Sequence, residues 1–176
     1  MSDPVLASYL KEFRKSFNLE TLNDSTLFEY FSAYCVFIRD FSEYTQLEDV
    51  IVAGNHDSAI DAIGIFLNDI SVETAAQVEE VSSKSRIDTD FAFIQSKASR
   101  NLNAAEIGSF LQGVREFFSE RYMPVNEDIN RKRSISDHVF AQSVRMRSKP
   151  TLHLYYCYTG RFQSDPTIVA RVIPIR

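Results

Sequence analysis

The chain predicts an α/β fold in which a small mixed sheet is flanked by helices. Two amphipathic stretches at the start, a cluster of short apolar runs between residues 49 and 97, and a strongly amphipathic segment directly after them carry that expectation. A helix with one apolar face must cover a sheet or another helix. The order is helix, helix, three strands, helix, a mixed segment, strand. With 176 residues, 44% hydrophobic and 24% charged, a single domain over 1–176 is expected. The sequence stops on the strand-like PTIVARVIPIR without a cap or polar tail, so it is read as either a whole domain or the amino-terminal piece of a longer protein.

Each element has its own signal. Asp3-Pro4 reads as an N-cap followed by proline at the first helical position. Val5, Leu6, Tyr9, Leu10, Phe13 and Phe17 then recur at helical spacing, ending near Asn18. NDSTLFEYFSAYCVFIRDF restarts with cap-type residues, and Leu27, Phe31, Tyr34, Cys35 and Ile38 predict a largely buried second helix. DVIVAG, IDAIGIFL and DFAFIQSK are β-branched or alternating runs and predict three successive strands. The stretch Ser71 to Asp88, rich in Glu, Ser and Lys, predicts an exposed connection with one helical turn. Asn103 lies three residues before Glu106 in a capping arrangement, and Ile107, Phe110, Leu111, Val114, Phe117 and Phe118 form a helical face. A further helix is expected between Asn126 and Ser143, and TLHLYYCYTG is the fourth strand.

The net charge of −5 argues against a general polyanion binder. The charge is unevenly spread, however. Arg131, Lys132, Arg133, Arg145, Arg147 and Lys149 face the single acid Asp137 between residues 131 and 149, so a local basic face for nucleic acid is expected beside the plainer reading of a solvated surface. Cys35 and Cys157 lie in apolar runs and read as buried free thiols, and neither makes a zinc spacing with His56, His138 or His153. No apolar run approaches a membrane span and the first residues carry an acid where a secretory signal carries bases, so a cytoplasmic protein is expected.

The chemistry concentrates at two strand ends. Asp61 sits between Ile60 and Ala62 in an apolar run where a carboxylate has little structural use. Gln95 and Lys97 are two apart, so a regular strand puts both on one face, with Ile94 and Ser96 on the other. A carboxylate, an amide oxygen and an ammonium suit phosphoryl transfer with Mg²⁺, a hard cation that takes oxygen ligands. Lys97 can orient water or offset charge developing on phosphate. For Gln95 the competing expectation is a hydrogen bond to a neighbouring strand. Tyr155, Tyr156 and Tyr158 are candidates for base stacking or, more simply, for packing on helices.

An Asp at a strand start, Gln-x-Lys on the next strand and Phe28-Glu29 on a preceding helix resemble the PD-(D/E)xK nuclease superfamily in its Gln-x-Lys form. More narrowly, GNHDSAIDAIGIFLND, FAFIQSKAS, the helix with SFLQGVREFF and then YYCYTG resemble the amino-terminal region of the AIPR family of abortive-infection phage-resistance proteins. The similarity runs from Asp24 to Gly160. It implies a restriction-endonuclease-like core: a helix, a three-stranded meander, a helix and a further strand. It also implies Asp61 as principal metal ligand, Gln95 at the second acidic position, Lys97 as the catalytic lysine, and the Ser96 carbonyl in the metal shell. Glu29 matches a helix glutamate that helps hold metal, although Thr26 three residues earlier makes a capping role its competitor. Asp57, beside the candidate proton shuttle His56, matches the first acid of an Asp-Gly-Gly-Ile-Asp pattern whose glycines are here Ser58 and Ala59.

The implied activity is Mg²⁺-dependent hydrolysis of nucleic acid, DNA in the first place, with Mn²⁺ as a substitute and phage defence as the setting. A homodimer is left open. The alternative is a nuclease-fold module with weak or absent activity that binds nucleic acid or protein.

Overall fold

The computed structural model describes residues 3–41, 46–52, 58–119, 126–161 and 166. They form an α/β fold: a four-stranded mixed sheet flanked by helices. The helices are α1 (Pro4–Ser16), α2 (Asp24–Asp40), α3 (Leu47–Val50), α4 (Ala75–Lys84), α5 (Ala104–Phe118) and α6 (Glu127–Ala141). The strands are β1 (Ala62–Leu67), β2 (Ile70–Ser71), β3 (Thr89–Lys97) and β4 (Thr151–Tyr158), in the spatial order β2-β1-β3-β4. β1 runs antiparallel to β2 and β3, while β4 is parallel to β3.

The expected caps start the helices. Asp3 accepts the Val5 and Leu6 amides, Asn103 those of Ala105 and Glu106, and Asn126 that of Ile129. Each satisfies amides that the first turn leaves without an internal partner. Alternation along β1 and β3 divides the core. Ile63, Ile65, Leu67, Phe91 and Phe93 pack with α5 and α6, whereas Ala62, Phe66, Ala92 and Ile94 pack with α1 and α2. Covered on both faces, β1 is buried throughout, which is why it reads as a continuous apolar run.

Several expectations are corrected. Over its described residues, 49–52, DVIVAG is not a strand: the one-turn helix α3 ends at Val50, and Ile51 makes a bridge to Ala62. Leu47 and Val50 are three apart and both buried, so one helical turn serves the core better than extension. Residues 71–88 hold the ten-residue helix α4 rather than a single turn. In α2 the sheet-facing residues are Leu27, Phe28, Ser32, Ala33, Val36 and Phe37, rotated from the expected stripe. Phe31 and Tyr34 instead meet Phe13 of α1, so this helix has two apolar sides. Both cysteines are free, but Cys35 is exposed and Cys157 half-buried. The strand-like tail 167–176 lies outside the described residues. No described helix is long and apolar enough to cross a membrane.

Candidate functional site

Asp61 precedes β1 and stands beside the carboxyl end of β3. Its amide donates to the Ile94 carbonyl at 2.8 Å, and its own carbonyl accepts the Val52 amide at 2.9 Å, so the backbone is held from both sides. Only 4% of the residue is exposed. Among the described residues, carboxylate oxygen Oδ2 accepts three hydrogen bonds: from the Ser96 amide at 2.6 Å, the Ser96 hydroxyl at 2.7 Å and Gln95 Nε2 at 3.0 Å. Hydrogen bonds of this charge-assisted kind stabilise a buried carboxylate that would otherwise be costly.

Gln95 is 1% exposed. Its Nε2 donates to both Asp61 Oδ2 and the Ser96 carbonyl, at 3.0 and 3.2 Å, which fixes the orientation of the amide. The oxygen Oε1 is thereby left buried without a hydrogen-bond partner among the described residues. Such a group costs about 1–3 kcal/mol and calls for an explanation. Lys97, half-buried, ends the same strand two residues on. Sequence reasoning gave Ser96 only a carbonyl role. Its amide and hydroxyl are in fact the closest donors to Asp61 among the described residues, a role with no sequence signal because it depends on the antiparallel register of β1 and β3.

The next strand extends the constellation. β4 places Tyr156 beside Gln95 and Tyr158 beside Lys97. Tyr156 packs on the α5 side of the sheet and its hydroxyl donates to Glu106 Oε2 at 2.8 Å, so Tyr156 serves packing and hydrogen bonding, whereas the buried Tyr158 hydroxyl has no hydrogen-bond partner among the described residues. Burial, then the Glu106 carboxylate, push the Tyr156 phenol up, with a smaller contribution from Asp61. Glu106 does not complete the expected capping box. On the entry side, Ser58 and Ala59 have φ of 54° and 56°, the left-handed backbone that glycine favours. These are the positions where the similar pattern has its glycines. α5 presses on this turn: a Cβ at Gly113 would lie 1.9 Å from the Ser58 carbonyl oxygen. A groove of about 510 Å³ runs between Ser58, Ala59 and the Ala105–Glu116 side of α5.

Asn23, not Thr26, caps α2, which removes the capping role considered for Glu29. Glu29 is half-buried, and no cluster of three acidic, His or Cys residues able to hold a metal forms among the described residues. His56 and Asp57 lie outside the described residues. The basic run is corrected most. Lys132 is 0% exposed and bonded to Glu73 at 2.5 Å, and Arg133 is 4% exposed, donating to the Glu116 carbonyl at 2.9 Å over the Phe117 ring. Neither can meet nucleic acid, because α6 turns both inward. Arg131 binds Glu73, Asp128 and the Asp49 carbonyl. Arg145, Arg147 and Lys149 are exposed, but Arg147 pairs with Asp88. Arg145 and Arg147 bracket the Ile87 bridge, at the opposite end of β3 from Gln95 and roughly 25 Å away by strand rise.

No family model, curated protein or solved structure matches the chain.

In kind, the donors suit a hard divalent cation: a buried carboxylate, a buried amide oxygen in need of a partner, and a main-chain carbonyl. The match is one of donor type, since Gln95 turns its N–H rather than its oxygen to Asp61 and the Ser96 carbonyl.

Proposed function

We propose that this domain is a Mg²⁺-dependent nuclease that hydrolyses phosphodiester bonds, acting in phage defence. The observation that carries the reading is the buried Gln95 Oε1, without a hydrogen-bond partner among the described residues, beside Asp61 and on the strand that ends in Lys97. Asp61, Gln95 Oε1 and the Ser96 carbonyl are the oxygens that would hold the ion. A bound Mg²⁺ supplies Lewis-acid stabilisation of phosphate charge and makes its water more acidic. Ser96 and Gln95 orient the Asp61 carboxylate, and Lys97 offsets negative charge gathering on the phosphate oxygens. Phage defence rests on the sequence resemblance alone. Nucleic acid as partner rests on that resemblance.

One observation favours a second reading. Asp61 Oδ2 already accepts three donors, and Gln95 turns its N–H towards the carboxylate, an arrangement that is satisfied there without a cation. Under that reading the domain is a nuclease-fold module that binds nucleic acid or protein with little or no cleavage.

Cleavage separates the two. Incubation of the full chain with plasmid, single-stranded DNA and RNA, with Mg²⁺ and with chelator, should give metal-dependent hydrolysis that Asp61→Asn and Lys97→Ala both abolish. Cleavage unaltered in Asp61→Asn would refute the nuclease reading.

A further inference from the structure

The α2 side of the sheet brings the two cysteines together. One contact fixes how α2 and β4 align: the Tyr155 hydroxyl donates to Asp40, the last residue of α2. From that contact Cys35 lies five residues back along the helix, roughly 7.5 Å at 1.5 Å per residue. Cys157 lies two residues on along β4, roughly 6.6 Å of strand, on the same α2-facing side as Tyr155. The two steps match, so both thiols reach one place. There a cavity of about 370 Å³ is lined by Phe28, Cys35, Val36 and Arg39 from α2 and by Cys157 and Thr159 from the end of β4. Both thiols are free, Cys35 exposed and Cys157 half-buried. Burial pushes both up, and at Cys157 the neighbouring Cys35 thiol adds to this, to about 11. Arg39, one helical turn from Cys35, pulls both the other way.

We propose that Cys35 and Cys157 are a reversible oxidation site, in which a peroxide oxidises the exposed Cys35 and Cys157 resolves the product to an intrachain disulfide. In the first step the Cys35 sulfur attacks one peroxide oxygen and the O–O bond breaks. Cys35 becomes a sulfenic acid, and the other oxygen of hydrogen peroxide leaves as water with the thiol proton. In the second step the Cys157 sulfur attacks the Cys35 sulfur. The S–S bond forms, the S–O bond breaks, and the hydroxyl leaves as water with the Cys157 proton. Two electrons pass from the thiols to one peroxide, and a dithiol reductant returns them. An exposed thiol beside a resolving one is the arrangement that this chemistry needs. The bond ties α2 to the end of β4, where Cys157 is the strand neighbour of Ser96, whose hydroxyl holds Asp61. The inference stands apart from the nuclease reading.

The test is oxidation of the full chain by hydrogen peroxide, followed by thiol titration and intact mass, in native buffer and in urea, for wild type, Cys35→Ala and Cys157→Ala. Wild type should lose both thiols together with a mass decrease of two hydrogens, peptide mapping should join Cys35 to Cys157, and dithiol reductant should restore both. A disulfide closes only when the two Cα atoms come within about 7 Å, so the native fold should close it roughly tenfold or more faster than the urea-unfolded chain. Cys157→Ala should stop at a sulfenic acid on Cys35 that dimedone traps, while Cys35→Ala should keep its thiol over the same period. Closure no faster in native buffer than in urea overturns the proposal. So does retention of both thiols, oxidation confined to oxygen adducts or interchain bonds, or faster oxidation of Cys35→Ala than of Cys157→Ala.

Discussion

The Asp61 carboxylate is bound to Ser96 twice, through the main-chain amide at 2.6 Å and the hydroxyl at 2.7 Å. This pair joins the entry of β1 to the end of β3, so the same residue that anchors the site also stitches the sheet. Ser96→Ala removes one donor to a buried charge and should cost about 1.5–3 kcal/mol in urea denaturation. Asp61→Ala should cost more than Ser96→Ala, because it strands the Ser96 and Gln95 donors together.

Lys132 and Glu73 form a further buried charged contact, tying α6 to the residues that lead into α4. Removing one partner leaves the other desolvated. Glu73→Ala should therefore destabilise by about 3–5 kcal/mol, whereas replacing both partners together, Glu73→Leu with Lys132→Met, should be close to neutral. Burial holds the Lys132 pKa below its usual value, against the opposing pull of Glu73. Between that lowered value and the ordinary 10.5 the unfolded chain binds the proton and the folded chain does not. The Lys132 contribution to stability should thus rise with pH across that window, and Lys132→Met should flatten the rise in melting temperature.

Ser58 and Ala59 hold a left-handed backbone, separated from Asp61 by Ile60 alone. An L-residue there costs about 1–2 kcal/mol, partly offset in glycine by the entropy of a freer unfolded chain. Ser58→Gly and Ala59→Gly should each stabilise by up to about 1 kcal/mol, measured by the same denaturation. Gly113→Ala should be strongly destabilising, since its Cβ would meet the Ser58 carbonyl.

Tyr155, on the α2 side of β4, is pushed up to about 12 by burial first and then by its hydrogen bond to Asp40. Its folded value lies above the ordinary 10.0, so the protonated phenol is the one the fold favours. That contribution is complete below pH 10 and is lost as pH rises through about 12. Ultraviolet titration should show one tyrosine with a midpoint near 12 that disappears in Tyr155→Phe and falls in Asp40→Asn.

Much of this was legible in the chain because it depends on neighbours in sequence. Asp3-Pro4, Asn103 and Asn126 mark helix starts through bonds to amides two or three residues on, and β1 is recognisable from an apolar run too short for a helix. The α/β class follows from those elements. DVIVAG misleads because four residues cannot separate a helical from an extended period, and only the pocket that receives Leu47 and Val50 decides it. α4 was hidden by its composition, with Val78 and Ser82 its only fully buried residues. The site was half legible. Asp61, Gln95 and Lys97 do share one end of the sheet, but the Ser96 hydroxyl and the Tyr156–Glu106 bond depend on register between strands far apart in sequence. The basic run misled for the same reason: Glu73 and the Glu116 carbonyl, which take up Lys132 and Arg133, are distant along the chain.

The most direct test of the site is a Mn²⁺ titration of wild type and Asp61→Asn by calorimetry, with circular dichroism to confirm that the variant is folded. Saturable one-site binding by the wild type, lost in the folded variant, is the expected result. A wild type that takes up no Mn²⁺ at millimolar concentration would contradict the account, and Asp61, Ser96 and Gln95 would then form a purely structural network.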